Sequence, residues 1–278
     1  PYPSIGTNSY QVISLTDING CINTTPTQIV DVIINEIPNI DIAITGNNPL
    51  CLGESSEISF PVFSGTAPFS VIFSDGINSN TVTVDNNGLV NGSPLSINPS
   101  SNTTYSLVSV SDDKGCFSAS SNNASITVNE LPNVSVSGNN ELCQGEITQL
   151  YFNFTSGSAP WTVNYSVNGA PTSVTLSNIN DSISVSPNSS SIYDFTSLAD
   201  PNCLNNINDQ VSISINPVPN AIMSGGGSVC DDGSQVDVFI NISSGTPPFN
   251  TQYSVGIETK YLSNIGYHHT ISTNDAGL

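Results

Sequence analysis

Along most of the chain, apolar side chains fall at every second position over short runs. Clusters of Gly, Pro, Asn, Asp and Ser separate these runs. Ile40, Ile42 and Ile44 alternate in this way, then Ile58, Phe60 and Val62, then Phe69, Val71 and Phe73. Val82 with Val84, Leu95 with Ile97, Tyr105 with Leu107, and Ala124 to Val128 follow. A period of two predicts half-buried β-strands. Pro61 lacks an amide donor and predicts a sheet edge or a bulge. Asp17-Ile18-Asn19-Gly20 and Asp75-Gly76 are turn sequences, because Gly and Asn tolerate positive φ.

The same order of runs returns. Leu150, Phe152 and Phe154 stand where Ile58, Phe60 and Val62 stood, and Trp161, Val163 and Tyr165 replace Phe69, Val71 and Phe73. Val238, Ile240 and Ile242 precede Phe249 and Tyr253 in a third copy. Three markers set the period. Ser64-Gly65-Thr66-Ala67-Pro68, Ser156-Gly157-Ser158-Ala159-Pro160 and Ser244-Gly245-Thr246-Pro247-Pro248 place their glycines 92 and then 88 residues apart. Pro38-Asn39, Pro132-Asn133 and Pro219-Asn220 open each copy, and Tyr10, Tyr105 and Tyr193 begin its later strands. A self-similar period fixes the architecture before any single residue is read. The pattern predicts an all-β chain of tandem immunoglobulin-like β-sandwich domains in a linear array. Residues 1–37 read as the C-terminal part of one repeat, 38–131 and 132–217 as complete repeats, and 218–278 as the N-terminal part of another. The chain thus reads as a segment of a longer one. Phe69, Trp161 and Phe249, with Tyr105 and Tyr193, are the expected core aromatics. For Trp161 the other use would be a sugar-stacking platform, against which Phe in both other copies argues.

Composition narrows the function. The 278 residues carry two Lys+Arg against 22 Asp+Glu, a formal charge of −20. Nucleic-acid binding needs cations to displace counterions, and anionic membranes attract basic segments, so neither partner is expected. No apolar run is long enough to span a bilayer, and no basic-then-apolar start resembles a signal peptide. No Ser-His-Asp arrangement is recognisable, and the pair His268-His269 is expected on an exposed strand or loop. The expectation is a chain that is not an enzyme. Glu54, Glu57, Asp112, Asp113, Asp231 and Asp232 gather near turns, which leaves calcium open as the one cofactor.

Each copy has two cysteine positions: Cys51, Cys143 and Cys230 before the glycine loop, and Cys21, Cys116 and Cys203 after the later strand. Paired cysteines at regular places suggest disulfides and an oxidising compartment. Pairing within repeats gives Cys51–Cys116 and Cys143–Cys203. Consecutive pairing gives Cys21–Cys51, Cys116–Cys143 and Cys203–Cys230. Reduced thiols and a metal are the other options, and a metal is disfavoured by the wide spacing.

Within a unit the order is Pro-Asn, then Leu50-Cys51-Leu52-Gly53-Glu54 or Leu142-Cys143-Gln144-Gly145-Glu146, then Ser-Gly-x-x-Pro with Phe or Trp. Asp17 to Cys21 and Asp112 to Cys116 spell Asp-x-x-Gly-Cys, from which Asp200-Pro201-Asn202-Cys203 departs by lacking the Gly. Together these resemble the Ig-like or PKD-like repeats of very large Bacteroidota surface proteins, including gliding-motility adhesins exported by type IX secretion. The resemblance implies a secreted, cell-surface location and a repetitive stalk that presents adhesive parts elsewhere. It implies as partners the neighbouring repeats, the outer-membrane secretion machinery, and surface polysaccharide or other cells. The alternative expectation is a spacer or carbohydrate-binding module of a secreted glycan-degrading enzyme. Packing of repeats into a fibre through their edges is a further one.

Overall fold

The computed structural model describes residues 3–25 and 28–274, and these form strands and turns without a helix. The outermost residues of the 1–37 and 218–278 repeats lie outside the described residues. The chain separates into two compact units, Pro1–Leu131 and Pro132–Leu278.

In the first unit, β1 (Gly6–Gln11) pairs antiparallel with β4 (Ile29–Ile34), placing Tyr10 opposite Val30. Between them β2 (Leu15–Thr16) and β3 (Ile22–Asn23) close the turn from Asp17 to Cys21. The first complete repeat follows. Its early strands are β5 (Asn39–Ile40), β6 (Ala43–Ile44), β7 (Leu50–Cys51), β8 (Ser56–Ser59) and β9 (Val62–Ser64). Its later strands are β10 (Phe69–Ser74), β11 (Ser79–Val84), β12 (Leu95–Ile97), β13 (Thr103–Ser111), β14 (Phe117–Ala119), β15 (Asn123–Ile126) and β16 (Val128–Asn129). One sheet runs β12-β8-β6, and the other runs β11-β10-β13, with β14 and β15 both paired to β13. Pro61 interrupts the alternating run as expected, dividing it into β8 and β9. Gly88 packs so tightly on the break that a Cβ there would lie 2.4 Å from the Phe60 carbonyl oxygen.

The second unit contains the most regular repeat. Its strands are β17 (Asn133–Gly138), β18 (Glu141–Cys143), β19 (Thr148–Ser156), β20 (Trp161–Val167), β21 (Ala170–Leu176), β22 (Asn180–Val185), β23 (Ser191–Ala199) and β24 (Leu204–Asn216). They form two sheets, β17-β19-β22 and β18-β24-β23-β20-β21. The short β18 runs parallel to the last strand, β24, as β7 runs parallel to β16 in the first repeat. Period-two side chains from both sheets meet between them. Phe152 on β19 meets Phe195 on β23 edge to face at 5.7 Å, and Phe60 meets Phe73 at 5.5 Å in the preceding repeat. Each repeat therefore has its own apolar core. This arrangement is an immunoglobulin-like β-sandwich.

The last repeat supplies β25 (Ala221–Gly225), β26 (Val236–Ile242), β27 (Phe249–Val255), β28 (Glu258–Ile265) and β29 (His268–Thr273). They form the sheets β25-β26-β29 and β27-β28 around a small core of Ile240, Ile242, Phe249 and Ile265.

Candidate functional site: the loop cluster at the repeat end

The recurring sequence markers meet in space. Gly65, Gly157 and Gly245 have φ of +104°, +86° and +92°. A Cβ on them would lie within 3.0 Å of Pro38, Pro132 and Pro219 respectively. The opening proline of each repeat thus rests on the glycine of its Ser-Gly-x-x-Pro loop, which is why the two markers recur together. Ser64 Oγ donates to the Ile37 carbonyl at 2.8 Å, and Ser244 Oγ to the Val218 carbonyl at 2.7 Å. The peptide preceding Pro68, Pro160 and Pro248 is cis in all three loops.

The Asp of the Asp-x-x-Gly-Cys turn joins this cluster. Asp112 Oδ1 accepts the N–H groups of Lys114 and Cys116 at 3.0 and 2.9 Å. Its Oδ2 reaches across to accept the Thr66 N–H at 3.1 Å. Asp200 repeats the arrangement without the Gly, taking the N–H groups of Asn202, Cys203 and Ser158. Burial pushes the Asp200 carboxyl up, but the N–H groups of Cys203, Ser158 and Asn202 outweigh it. The group is held below its ordinary value of 3.8. These carboxylates are therefore occupied by the backbone. Among the described residues no group of three or more His, Cys, Asp or Glu side chains converges as metal ligands would. Glu54 likewise turns back to accept the Cys51 N–H at 2.9 Å, and Glu146 accepts that of Cys143 at 2.9 Å. The recurrent Glu of Cys-x-Gly-Glu closes a turn around a positive-φ glycine, Gly53 or Gly145. Lys114 Nζ sits 3.1 Å from Asp113, and both side chains are about half exposed.

The cysteines depart from expectation. Cys51 and Cys203 are disulfide-bonded, whereas Cys21, Cys116, Cys143 and Cys230 are free thiols. Neither Cys51–Cys116 with Cys143–Cys203 nor the consecutive set with Cys116–Cys143 is formed. The geometry of the sandwich explains the first failure. Cys143 pairs with Asn216 at the far end of β24, while Cys203 immediately precedes its first residue, Leu204. Thirteen residues of strand separate the two positions by about 40 Å at ~3.4 Å per residue. A disulfide holds its Cα atoms only about 4.4–6.8 Å apart. Cys51, opposite Asn129, and Cys116, at the Asp112 turn, stand in the same relation. The two cysteine positions occupy opposite ends of one sandwich, a relation that sequence spacing does not carry.

The structure buries all five expected core aromatics, Phe69, Trp161, Phe249, Tyr105 and Tyr193. Trp161 stacks on Phe154 with ring centres 4.2 Å apart and planes within 5°. Its face is thus already covered, which removes the sugar-platform alternative. Its Nε1–H is buried without a hydrogen-bond partner. Burial pushes the Tyr105 phenol up, reinforced by the Asp75 carboxylate, and pushes Tyr193 up beside Tyr165. Not every aromatic is internal: Phe63, Phe117, Tyr151 and Tyr261 are exposed on different strands. His268 and His269 lie on β29, where His268 Nδ1 meets Asn241 Oδ1 at 2.9 Å. No helix of the described residues is long and apolar enough to cross a membrane.

The strand order defines the class, an immunoglobulin- or fibronectin-III-like sandwich. No known protein family and no curated protein matches the sequence. Among solved structures, a marsupial T cell receptor is similar at 11% identity and TM-score 0.46, covering 83% of this chain and 99% of that one. The fibronectin(III)-like modules of Clostridium thermocellum CbhA share 16% identity at TM-score 0.30, covering 63% of this chain and 94% of theirs. A Salmonella alpha-2-macroglobulin mutant is 8% identical at TM-score 0.29, covering 96% of this chain but 25% of its own. The fold assignment rests on the chain's own sheets and not on these likenesses.

Proposed function

We propose that the chain is a non-catalytic repeat segment of a secreted bacterial cell-surface adhesin or filament. Its sandwiches act as a disulfide-stabilised stalk that presents adhesive parts carried elsewhere. The observation that carries this reading is the loop cluster: every repeat locks its opening proline onto the same glycine loop. In the two complete repeats a buried or half-buried aspartate ties that loop to the later strands. Such a cluster fixes the backbone, and its carboxylates are taken up by backbone N–H groups. The disulfide-bonded Cys51 and Cys203 fit an oxidising compartment. The formal charge of −20 keeps neighbouring molecules apart in solution. The motif resemblance favours Bacteroidota gliding adhesins and type IX export, with outer-membrane secretion machinery, surface polysaccharide or other cells as partners.

The test is antibody labelling of intact source cells, using serum raised against residues 38–217, before and after mild external proteolysis. Surface labelling that proteolysis removes is the expected result. Signal only after cell lysis would sink the reading. The exposed Tyr151 and Tyr261 favour one second reading, a carbohydrate-binding module of a secreted glycan-degrading enzyme. A glycan array probed with the same segment would distinguish it, because a stalk binds none of the array.

A further inference from the structure

The two sheets of the second repeat part at the end away from its loop cluster. β20 and β22 finish there at Val167 and Val185, and β23 begins there at Ser191. A cleft of about 440 Å³ opens between them. Its walls are Val167, Val185, Pro171 and Pro187, with the rings of Tyr165 and Tyr193. The two ring centres stand 6.4 Å apart, with planes inclined by 30°. Tyr193 is only 5% exposed. Among the described residues neither phenol oxygen has a hydrogen-bond partner. Trp161 Nε1 is the one fully buried side-chain polar atom without a partner among those residues, so the Tyr193 oxygen is not sealed in. It opens into the cleft that its ring lines. Burial pushes this phenol up, so it stays protonated and able to donate at neutral pH.

The first repeat builds the same corner differently. Phe73 stands at the position of Tyr165, lacks the hydroxyl and is 3% exposed. Asp75 stands at the position of Val167. Its carboxylate turns back to accept the Ile77 and Asn78 N–H groups at 2.9 and 2.6 Å. The apolar, phenol-lined corner therefore comes from residues particular to the second repeat, not from the repeat pattern.

The lining restricts what can enter. The chain carries −20, yet among the described residues no charged side chain and no Asn, Gln or His lines the cleft. A charged ligand would lose hydration there without gaining a partner. A saccharide presents many hydroxyl donors, and the lining holds no carboxylate or side-chain amide to accept them. The side-chain polar groups are hydroxyls, those of the tyrosines with Thr172 and Ser186 among them. A proline-rich peptide suits such a lining. In the polyproline II conformation its carbonyls have no internal partners, and proline has no N–H to leave unpaired. Its preformed shape docks on aromatic walls at little conformational cost.

We infer that this cleft is a binding site for an uncharged, proline-rich segment of another polypeptide. The Tyr165 and Tyr193 hydroxyls donate to its carbonyls, and the Val and Pro walls take its rings. The inference goes beyond the stalk reading and does not depend on what the stalk presents.

The test is fluorescence anisotropy of fluorescein-labelled decaproline titrated with the 278-residue chain. Saturable binding with a dissociation constant below about 1 mM is expected. A labelled Gly-Ser peptide of equal length should not bind. Tyr165→Phe keeps the ring and should weaken binding about two- to tenfold by removing one hydrogen bond. Tyr165→Phe combined with Val167→Asp gives the corner the first repeat's residues and should abolish binding, with circular dichroism unchanged. Should the double variant lose its fold, Tyr165→Phe alone serves. No saturable binding of decaproline would overturn the inference. Binding that the variants leave unchanged would overturn the site, and equal binding of the Gly-Ser peptide would overturn the ligand class. Displacement of decaproline by maltohexaose would assign the cleft to a saccharide and overturn the peptide reading.

Discussion

The second repeat and the leading fragment present the same side-chain pattern in opposite surroundings. Phe195 on β23 is buried between two sheets, whereas Val12, at the matching position, is exposed. Local pattern makes both segments extended, since β1 and β4 pair as β23 and β24 do. Burial, however, requires the facing sheet. The alternation of apolar residues is a local property, and the core is a property of two completed sheets.

Substitution at the matched pair should show the largest contrast. Phe195→Ala removes a buried ring and is expected to destabilise the second repeat by about 3–5 kcal/mol. Val12→Ala should change stability by no more than about 0.5 kcal/mol at high dilution. Urea melts followed by tryptophan fluorescence report the first directly, because Trp161 lies in that core. Equal effects at the two sites would break the comparison.

Trp161 gives the next contrast. Trp161→Ala should cost about 3–5 kcal/mol, again by leaving a cavity. Trp161→Phe should cost less than about 1.5 kcal/mol. It places here the residue found at both matching positions, 69 and 249, and removes the unpartnered Nε1–H. Thermal melts by circular dichroism separate the two variants.

A glycine pair sharpens the account of the loop cluster. Gly157 and Gly169 share a φ near +85°, at +86° and +83°. A Cβ on Gly157 would lie 2.6 Å from the Pro132 ring, whereas Gly169 faces open space. Gly169→Ala should cost about 1–2 kcal/mol from backbone conformation alone. Gly157→Ala should cost clearly more, and denaturant midpoints compare them.

The smallest effect is the pH dependence of Asp200. Its carboxyl is held below the ordinary 3.8 in the folded chain. A group with a depressed folded value binds its proton more readily when unfolded. Its contribution is therefore present above that ordinary value and is lost as pH falls through the folded one. Asp200→Asn should flatten the fall in stability below about pH 4, with little change in slope near neutrality. Unfolding midpoints across that range check the sign.

Much of the fold was legible in the sequence because its signals are local. The alternation from Leu150 to Phe154 names a strand, Pro61 names a break, and Asp17 to Gly20 names a turn. The recurrence of Pro-Asn with Ser-Gly-x-x-Pro was legible as a repeat, though not as a contact. Only the positive φ of Gly65 and the closeness of Pro38 explain why the two travel together. The cysteine pairing was not legible. Spacing suggested Cys143 with Cys203, but the long β24 separates them end to end, and chain distance says nothing of that. The acids at turns left a cation open, and what the sequence did not carry is that Asp112 accepts the Thr66 and Cys116 N–H groups and Glu54 that of Cys51.

The measurement that tests the central claim most directly is amide hydrogen exchange across the 278-residue chain at high dilution. β23 and β24 should exchange slowly, while β1 and β4, which have the same side-chain pattern without a facing sheet, exchange fast. Slow exchange of β1 and β4 would contradict the account, because it would mean that the leading strands are already covered in the single chain.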